Sequence, residues 1–467
     1  MMEKRGDVGG PAAALLVLAV LASPALAADS QAPSSDHPLL RQIAADVSPD
    51  ELRASIERLV GFGTRHTLSD TTSDTRGIGA ARRWVKARFE AIGAACGGCL
   101  KIETPTDTVS GDRIPKPTEI MDVLAIQPGA SDANRVVVIS AHLDSRVSDV
   151  MNATSDAPGA NDDGSGVAEV IEAARVLSRH RYKASIVYAV LQGEEQNLYG
   201  GALLAKYAKA QGWQVEADLN NDIDGNIHGL SGVIDNTHVR VFSEGTKAVE
   251  TPAQADRRRY NGGEVDSPSR ELARFMDGLA DRYLTNLSVR MVYRTDRYSR
   301  GSDQVRMLEA GYPAVRVTEA VENYTRQHQD LRTQSGLAYG DVISGVDFPY
   351  LAQVTRLNAI TLAALASAPA PPLDVKIEGA VSPDTKVSWT PATGAAGYQV
   401  WWRDTIEPRW RFSRWAGDEA ALTLKGVVID DWFFGVSAVS ADGWESPVEF
   451  PGPAGAFVSP PPAKPGS

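Results

Sequence analysis

Short motifs that combine carboxylates with histidine or glycine recur in this chain, each at the end of an apolar run. In chain order they are H-L-D at 142–144, G-A-N-D-D-G-S-G at 159–166, G-E-E at 193–195, N-N-D-I-D-G at 220–225 and Q-H-Q-D at 327–330. Carboxylates and imidazoles are side chains that bind divalent transition metals. One such motif carries little information, but five in order predict a metal-dependent hydrolase.

The segments around these motifs predict the elements that position them. Apolar runs predict strands at 122–127, 135–141, 185–191, 215–223, 287–293 and 314–318. Helical spacing and start signals predict helices within 37–60 and at 75–92, 164–179, 200–211, 267–283 and 342–365. Strands that alternate with helices indicate an α/β fold, with a mostly parallel or mixed central sheet and helices on both faces. Because ligands bind beyond the carboxyl ends of such strands, we expect the motifs to lie close together.

Length and composition limit the classes of protein that fit. The chain has 467 residues, more than one hydrophobic core normally supports, so we expect two domains. Its apolar fraction of 43% is that of a globular protein rather than a disordered one. The net charge of -12 argues against a nucleic-acid partner, because nucleic-acid binders carry a basic patch or stripe.

Residues 1–27 have the pattern of a secretory signal peptide. Lys4 and Arg5 precede a short apolar run at 12–22, and A-L-A at 25–27 matches the small-x-small cleavage signature. The run is too short to span a bilayer, so we expect no stable membrane insertion; an uncleaved anchor is the alternative. The pattern predicts an exported protein, either periplasmic or extracellular.

The two cysteines of the chain, Cys96 and Cys99, lie in the sequence C-G-G-C. A cysteine-based zinc site usually requires a second pair, which this chain lacks. In an exported protein, a small-loop disulfide is the favoured interpretation. A thioredoxin-like redox centre is the alternative, but the Gly-Gly spacer and the position after a helix favour a structural bridge.

The composition changes after the last predicted helix, where S-A-P-A-P-P predicts a stiff Pro-rich linker at 367–373. An all-β sandwich is expected at 374–452 and a disordered Pro/Gly/Ala-rich tail at 453–467. The predicted strands of the sandwich are 386–389, 397–403 and 433–440, and its expected core residues are Trp389, Tyr398 and Phe434. This region resembles a fibronectin type III domain in its W-x-P, Y-x-V-x-W-R and D-G-W-E-S-P motifs.

The metal-binding motifs resemble those of the secreted di-zinc aminopeptidases, which share a fold with the glutamate carboxypeptidases. The resemblance covers about residues 40–366, within a catalytic domain expected at 28–366. It includes F-G-T-R-H-T at 62–67 and G-Y-P-A-V-R-V-T-E at 311–319. The resemblance implies a zinc exopeptidase fold with two zinc ions as cofactors, although the same ligands also suit cobalt or manganese.

The resemblance assigns a role to each candidate ligand. The five ligands it implies are His142 and Asp222 for the first zinc, Glu195 and His328 for the second, and Asp162 as the carboxylate that bridges both. Asp224 is an alternative to Asp222, although N-N-D-I is the closer match. The resemblance also implies a cis peptide bond at 162–163. The same N-D-D-G-S-G motif also reads as a turn that caps the following helix, and the two interpretations are compatible.

Two further residues are expected to act in catalysis. Asp144 resembles the carboxylate that fixes the tautomer of the His142 ring. Glu194 resembles the general base, which takes a proton from water activated by the two zinc ions and passes it to the leaving amine. Adjacent side chains leave a strand end in different directions, so Glu195 can face the metal while Glu194 faces the substrate. The expected reaction removes the N-terminal residue from peptides with a free N-terminus.

One motif departs from the family pattern. The sequence G-S-D-Q at 301–304 lies where the family commonly has S-D-H, so Gln304 replaces a histidine and puts a supporting contact in question. Tyr298 and Arg300, just upstream, are weaker candidates for oxyanion or substrate contacts. The loops that line the substrate pocket, and so set the residue preference, are expected to include 226–266.

Alternatives to an aminopeptidase stay open. A carboxypeptidase or dipeptidase of the same fold requires a cationic pocket, for which Arg294, Arg297 and Arg300 are candidates. A glutaminyl cyclase uses the same fold with one zinc, but the full set of ligands argues against it. A non-catalytic binding protein is a further alternative, although no ligand or base is lost. The sequence predicts neither the oligomeric state nor the residue preference.

Overall fold

The structure is a computed structural model that describes residues 31–452 and residue 457. The predicted signal peptide and the predicted tail, apart from Phe457, lie outside the described residues. The α-helices are α1 Pro38–Asp46, α2 Pro49–Val60, α3 Gly77–Ala95, α4 Gly164–Leu177, α5 Tyr199–Gln211, α6 Pro252–Asn261, α7 Pro268–Tyr283, α8 Gln304–Glu309 and α9 Phe348–Ser367. The strands are β1 Lys101–Glu103, β2 Thr106–Gly111, β3 Ile114–Met121, β4 Val123–Gln127, β5 Asp132–His142, β6 Ala184–Leu191, β7 Gln214–Asn221, β8 His238–Phe242, β9 Ser288–Val292, β10 Ala314–Glu319, β11 Arg332–Gln334, β12 Leu337–Tyr339, β13 Leu373–Glu378, β14 Thr385–Thr390, β15 Gly397–Asp404, β16 Phe412–Trp415, β17 Ala421–Leu424 and β18 Trp432–Val439.

An eight-stranded mixed sheet lies at the centre of the α/β part of the chain, in the order β1-β4-β6-β5-β7-β10-β8-β9. The pairs β6–β5, β5–β7, β7–β10 and β8–β9 are parallel, and the remaining neighbours are antiparallel. The three parallel pairs from β6 to β10 are contiguous, so the carboxyl ends of four neighbouring strands lie at one edge. This topology confirms the predicted α/β fold with a mixed central sheet.

The side chains of β5 alternate between two hydrophobic cores. Val137 and Ile139 belong to the core that includes α1, α2, α3, α4, α7 and α9, whereas Val136 and Val138 belong to the core that includes α5 and α8. Successive strand side chains point to opposite faces, so burial on both faces explains why β5 is an almost continuous apolar run. Helices therefore cover both faces of the sheet, as predicted. Among the described residues, none of the helices is long and apolar enough to span a membrane.

The predicted helices and strands of this region are present, with shifts at their ends. The largest shift is at α9, which was predicted from residue 342 but begins at Phe348. Asp347 accepts a hydrogen bond from the backbone N–H of Tyr350, and a proline occupies the first turn, so the helix start signals lie later than the apolar spacing indicated. The elements that were not predicted, among them the hairpin β2–β3 and strand β8, are short or polar.

Cys96 and Cys99 form a disulfide, which confirms the predicted small-loop bridge. Cys96 is the C-cap residue of α3, and two glycines with positive φ, Gly97 and Gly98, complete the turn between the two cysteines. Because glycine adopts positive φ without a steric penalty, this spacer suits a tight structural turn.

Beyond α9 the chain forms two three-stranded antiparallel sheets, β13-β14-β17 and β16-β15-β18. The three predicted strands correspond to β14, β15 and β18. Trp389, Tyr398 and Phe434 are buried together in a hydrophobic cluster of this region, as expected. The small all-β part of the fold is confirmed, whereas its resemblance to fibronectin type III and the domain boundaries stay predictions.

A buried ion network joins the β-sheets of residues 373–439 to the α/β part of the chain. The Asp266 carboxylate accepts hydrogen bonds from Arg274 Nη1 of α7 at 2.8 Å and from Arg403 Nη2 of β15 at 2.5 Å. The three side chains are at most 4% exposed. Nearby, Trp410 Nε1 donates to Glu271 Oε2 at 2.8 Å. Asp266 thus compensates Arg403 and, together with Glu271, also Arg274, so removal of Asp266 takes a buried acidic partner from both guanidinium groups.

The substitution Asp266→Ala should lower the free energy of unfolding by about 3–5 kcal/mol, because it removes the shared partner of two buried arginines. Denaturant unfolding followed by circular dichroism measures the change. The matched control is Asp281→Ala, which removes a pair with Arg409 whose side chains are 51% and 53% exposed and should cost at most about 1 kcal/mol. Equal stabilities of the two variants would contradict the network's role.

Candidate metal centre

The sheet topology places the candidate residues at one edge. His142 is the last residue of β5, Glu195 follows the end of β6, and Asp222 follows the end of β7. Strand β5 pairs in parallel with both neighbours, so the carboxyl ends of these three strands lie side by side. Asp162 lies just before the first turn of α4, and His328 lies in the segment after β10.

The five predicted ligands converge into two clusters. In the first, His142 Nε2 lies 3.3 Å from Asp162 Oδ1 and 3.9 Å from Asp222 Oδ1. In the second, His328 Nε2 lies 3.0 Å from Asp162 Oδ2 and 3.1 Å from Glu195 Oε1. Within each cluster the potential ligand atoms lie within 4.8 Å of one another. The two carboxylate oxygens of Asp162 therefore face different clusters, which is the arrangement expected of a bridging ligand.

The chemistry of these atoms fits a pair of cations. Within the described part of the chain, Asp162 Oδ2 and Glu195 Oε1 are buried and make no hydrogen bond, although both are close to His328 Nε2. A buried carboxylate oxygen without a partner is costly, and a metal ion would compensate it. Imidazole nitrogens and carboxylate oxygens in sets of three are ligands that zinc accepts in catalytic sites. The donor set therefore fits zinc.

A carboxylate distant in sequence holds the turn that carries Asp162. Asp341 accepts hydrogen bonds from the backbone N–H groups of Asn161, at 3.0 Å, and of Asp162, at 2.7 Å. Burial raises the pKa of Asp341 to about 7. Gly159 has a φ of +52°, and a Cβ there would lie 2.6 Å from the carbonyl oxygen of Asp162. The peptide bond Asp162–Asp163 is cis, as the resemblance implied. Sequence reasoning missed Asp341, because no local motif connects it to a site far upstream.

Asp163, the residue after the shared ligand, connects three of the motifs. Its carboxylate accepts hydrogen bonds from the backbone N–H groups of His142 at 3.1 Å, Gly166 at 3.0 Å and Ile223 at 3.4 Å. A Cβ at Gly166 would lie 2.6 Å from the Asp163 carboxylate, so a glycine is needed for this approach. The N-D-D-G-S-G motif is thus both a helix cap and a tie between strand ends, and both of its interpretations fit the structure.

The structure corrects the role expected of the Asp144 carboxylate. The ring of His142 contacts the backbone carbonyl of Asp144, with Nδ1 2.9 Å from that oxygen and 3.8 Å from Asp144 Oδ1. Because a carbonyl only accepts, Nδ1 carries the proton and Nε2 faces the cluster. The carboxylate instead accepts from the backbone N–H groups of Gly193 at 2.8 Å, Glu194 at 3.3 Å and Glu195 at 3.2 Å. Asp144 therefore positions the G-E-E turn, and its main chain positions the imidazole.

A buried arginine supports Asp222, and sequence reasoning missed it. Arg316 Nη2 lies 3.0 Å from Asp222 Oδ1, and Arg316 Nη1 lies 3.2 Å from Asp296 Oδ1. Gln304 Nε2 donates to Asp296 Oδ2 at 2.5 Å. Gln304, which replaces the family histidine, therefore acts on Asp222 through two intervening side chains. The signal that could have revealed Arg316 is a charged residue inside the buried strand A-V-R-V-T-E. Asp224, the alternative to Asp222, belongs to neither cluster.

A cavity of about 420 Å³ opens onto the two clusters. It is lined by Arg113, Arg146, Asp162, Glu194, Glu195, Asn197, Leu198, Asp222, Arg297, Ser299, Arg300, Gly301, Gln327 and His328. Residues 226–266, expected to line the substrate pocket, are not among the residues that line this cavity. Tyr298 is 81% exposed and stacks with Arg294, so neither residue lines the cavity. Arg300 does line it.

Glu194, the predicted base, lines the same cavity beside Glu195. Burial raises the pKa of Glu194 well above its ordinary value, although the neighbouring His142 opposes the shift. A carboxylate with a raised pKa is a stronger proton acceptor than a solvated one, which is the property that a general base requires. His66, in the F-G-T-R-H-T motif, contacts the carbonyl oxygen of Val150 at 2.9 Å and belongs to neither cluster.

Comparison with known proteins places this site in a family. Residues 122–338 match peptidase family M28. The chain is 43% identical over 421 residues to a probable zinc metalloprotease of Pyrenophora teres f. teres, with 89% of this chain and 87% of the relative covered. It is 42% identical to a probable zinc metalloprotease of Leptosphaeria maculans, with 89% and 97% covered. The chain therefore belongs to peptidase family M28 and is a zinc metalloprotease.

Among solved structures, the fold is similar to that of the LapA aminopeptidase of Legionella pneumophila. The TM-score is 0.51 at 20% identity, and the match covers 73% of this chain and 78% of LapA. At this identity the likeness shows the fold alone, and it agrees with the α/β architecture described above.

Zinc binding should release protons from the two cluster histidines. Burial lowers the pKa of His328, but Glu195 and Asp162 outweigh this effect and raise the pKa to about 10. Burial also opposes a charged His142, whose pKa the carboxylates of Asp162 and Asp222 nevertheless hold well above its ordinary value. An imidazole that carries this extra proton must lose it to bind a metal, so the apparent zinc affinity should fall as the pH decreases.

Calorimetric titration of the metal-free protein with zinc at pH 7, in buffers of different ionisation enthalpy, measures this release. We expect the unaltered protein to release protons when it binds zinc, and His328→Ala to release fewer. The control His180→Ala, a histidine outside both clusters, should leave the number unchanged. Zinc binding without proton release would contradict the assignment of the histidines.

Proposed function

We propose that this zinc metalloprotease is an exported exopeptidase that removes the N-terminal residue from peptides with a free N-terminus. The observation that carries the proposal is the carboxylate of Asp162, whose two oxygens each face a histidine of a different cluster. Two complete clusters around one shared carboxylate support a centre with two zinc ions. A single-zinc centre, such as that of a cyclase, has no use for the second cluster.

The proposed zinc ligands are His142, Asp162 and Asp222 for one ion and Asp162, Glu195 and His328 for the other. When bound, the two ions would supply Lewis acidity, which polarises the peptide carbonyl and lowers the pKa of water towards neutral pH. The three carboxylates bring three negative charges against the four positive charges of two zinc ions. Arg316 pairs with Asp222 and so holds one of these three carboxylates in place.

Glu194 is the proposed general base. Hydrogen bonds from the backbone of the G-E-E turn to Asp144 hold Glu194 and Glu195 in fixed positions, with both side chains lining the same cavity. Glu194 takes the proton of the attacking water onto a carboxylate oxygen. It then gives that proton to the leaving amine, so that the base is regenerated at the end of the reaction.

The proposal of aminopeptidase activity rests on the similarity to a solved structure and on the size of the cavity. The structural neighbour LapA is described as an aminopeptidase, and a cavity of about 420 Å³ is of the size that encloses a small ligand or the end of a peptide. A carboxypeptidase or dipeptidase of the same fold is the second candidate. The observation that favours it is the presence of Arg297 and Arg300 in the cavity, where they could bind a terminal carboxylate.

We also propose that the chain is exported and that its C-terminal β-sheets form a fibronectin type III-like domain. The signal-peptide pattern of residues 1–27 supports export. The disulfide between Cys96 and Cys99 agrees with an oxidising compartment, periplasmic or extracellular.

The substitution Glu194→Gln should lower kcat/KM for peptide hydrolysis by roughly 10²–10⁴-fold, because the neutral amide cannot accept the proton of the attacking water. Zinc content, measured on the same sample, should stay unchanged. The matched control is Glu309→Gln, which alters an exposed glutamate paired with Arg306 and should retain activity.

A panel of free-amine and N-acetylated peptides, with and without chelator, distinguishes the candidates. The proposal expects cleavage of free-amine peptides from the N-terminus, lost on chelation and restored by zinc. Release of C-terminal residues from N-acetylated peptides would move the assignment to a carboxypeptidase. Absence of hydrolysis by the zinc-loaded protein would overturn the proposed function.

A further inference from the structure

Four arginines line the cavity that opens onto the two clusters: Arg113, Arg146, Arg297 and Arg300. Arg113 lies in the turn of the hairpin β2–β3, Arg146 follows the H-L-D motif, and the other two lie between β9 and α8. The chain as a whole has a net charge of -12, so this concentration of positive charge is local and opposite in sign to the protein's net charge. We refer to these four residues as the arginine cluster.

Two members of the arginine cluster are held in place by the protein. Arg297 is 10% exposed; its Nε lies 3.3 Å from Asp296 Oδ1 and its Nη1 lies 3.7 Å from Glu322 Oε2. Arg146 is 15% exposed, and its Nη1 lies 3.8 Å from Glu195 Oε2. These guanidinium groups are largely shielded from water, unlike the arginines of an ordinary solvated surface. They form a preorganised cationic wall beside the proposed zinc ligands.

The other two members have N–H groups that a bound molecule can reach. Arg300 is 37% exposed, and its Nη1 lies 3.6 Å from Glu322 Oε2. Its Nη2 donates to the side-chain oxygen of Gln327 at 2.8 Å, in the amide orientation that satisfies both Gln327 groups. Arg113 is exposed, and its Nη1 donates to the backbone carbonyl of Glu195 at 2.9 Å. Within residues 31–452 this is the one hydrogen bond of the Arg113 side chain, which leaves its other N–H groups available to an anion.

The acidic residues of the cavity do not cancel this charge when zinc is bound. Asp162, Glu195 and Asp222 are proposed zinc ligands, so their charges are matched by the metal. Two carboxylates are not zinc ligands: Glu194, which lines the cavity, and Glu322, which Arg297 and Arg300 share. The cavity therefore presents more guanidinium groups than free carboxylates to a substrate.

On the basis of the function proposed above, we propose that the arginine cluster binds a carboxylate of the peptide substrate next to the scissile bond. The planar N–H groups of arginine match the two oxygens of a carboxylate, and charge-assisted hydrogen bonds of this kind are among the strongest that proteins make. The carboxylate belongs either to an acidic side chain or to the C-terminus of a short peptide, and both present the same chemistry. A substrate without such a group leaves the accessible N–H groups of Arg113 and Arg300 to water.

Matched peptide pairs test the proposal with the zinc-loaded protein. Glu-Ala-Ala-amide against Gln-Ala-Ala-amide tests the first side chain, and Ala-Glu-Ala-amide against Ala-Gln-Ala-amide tests the second. The dipeptide Ala-Ala against Ala-Ala-amide tests the terminal carboxylate. We expect kcat/KM to favour the carboxylate by roughly ten- to a hundredfold in at least one pair, and the pair that shows it identifies the source. Equal rates within every pair would overturn the proposal.

Substitution tests the assigned residues. In Arg113→Gln and Arg300→Gln the ratio of kcat/KM between the two members of the preferred pair should fall by at least about fivefold, because each variant removes one charged donor. The control is Arg294→Gln, an arginine of the same segment that lies outside the cavity and stacks on Tyr298. It should keep the full ratio. A ratio that both cavity variants retain would overturn the assignment.

A binding measurement separates this proposal from the proposed function. The zinc-loaded Glu194→Gln variant should bind the carboxylate member of the preferred pair more tightly, as measured by calorimetry, even though it turns over slowly. Absence of hydrolysis by the unaltered protein, together with preferential binding of the carboxylate peptide, would refute the exopeptidase and support the arginine cluster. Hydrolysis without any preference in rate or binding would support the exopeptidase and refute the arginine cluster.

Discussion

The carboxylate of Asp162 faces two histidines at once, and the rest of the site is arranged around this constraint. A buried carboxylate between two clusters is stable only if both of its oxygens are compensated, and two cations accomplish this with one side chain. The backbone of Asp162 is fixed by Asp341, and the next residue, Asp163, ties the same turn to the ends of β5 and β7. The shared ligand is thus held by Asp341 and, through Asp163, by the ends of two strands of the sheet.

Charge is distributed in layers around the clusters. Next to the proposed metals lie carboxylates, and behind one of them lies Arg316, which is wholly buried and is itself compensated by Asp296. On the open side lies the arginine cluster, which faces the cavity. Each layer carries charge of the opposite sign to the layer next to it. The ligand carboxylates are therefore held ionised and in place, and the arginine cluster makes the entrance of the cavity attractive to anions. Buried charges of this kind are tolerated because each has a partner.

The sequence predicted the parts of this arrangement that local patterns record. Apolar runs identified strands β5, β6 and β7, and the family resemblance carried by the five motifs implied all five residues that the structure brings together. It did not predict the roles of Asp341, Arg316 or Arg113, because each acts on a residue far away in the chain and no local pattern records that contact. The sequence also indicated the carboxylate of Asp144 as the partner of the His142 ring, because the H-L-D motif does not record which oxygen of Asp144 the ring contacts.

The most direct test of the account is anomalous X-ray diffraction at the zinc edge from crystals of the zinc-loaded protein. The account predicts two peaks, one on each side of the Asp162 carboxylate, the first contacted by His142 and Asp222 and the second by Glu195 and His328. A single peak, or two peaks of which one does not contact Asp162, would contradict the shared carboxylate on which the account rests.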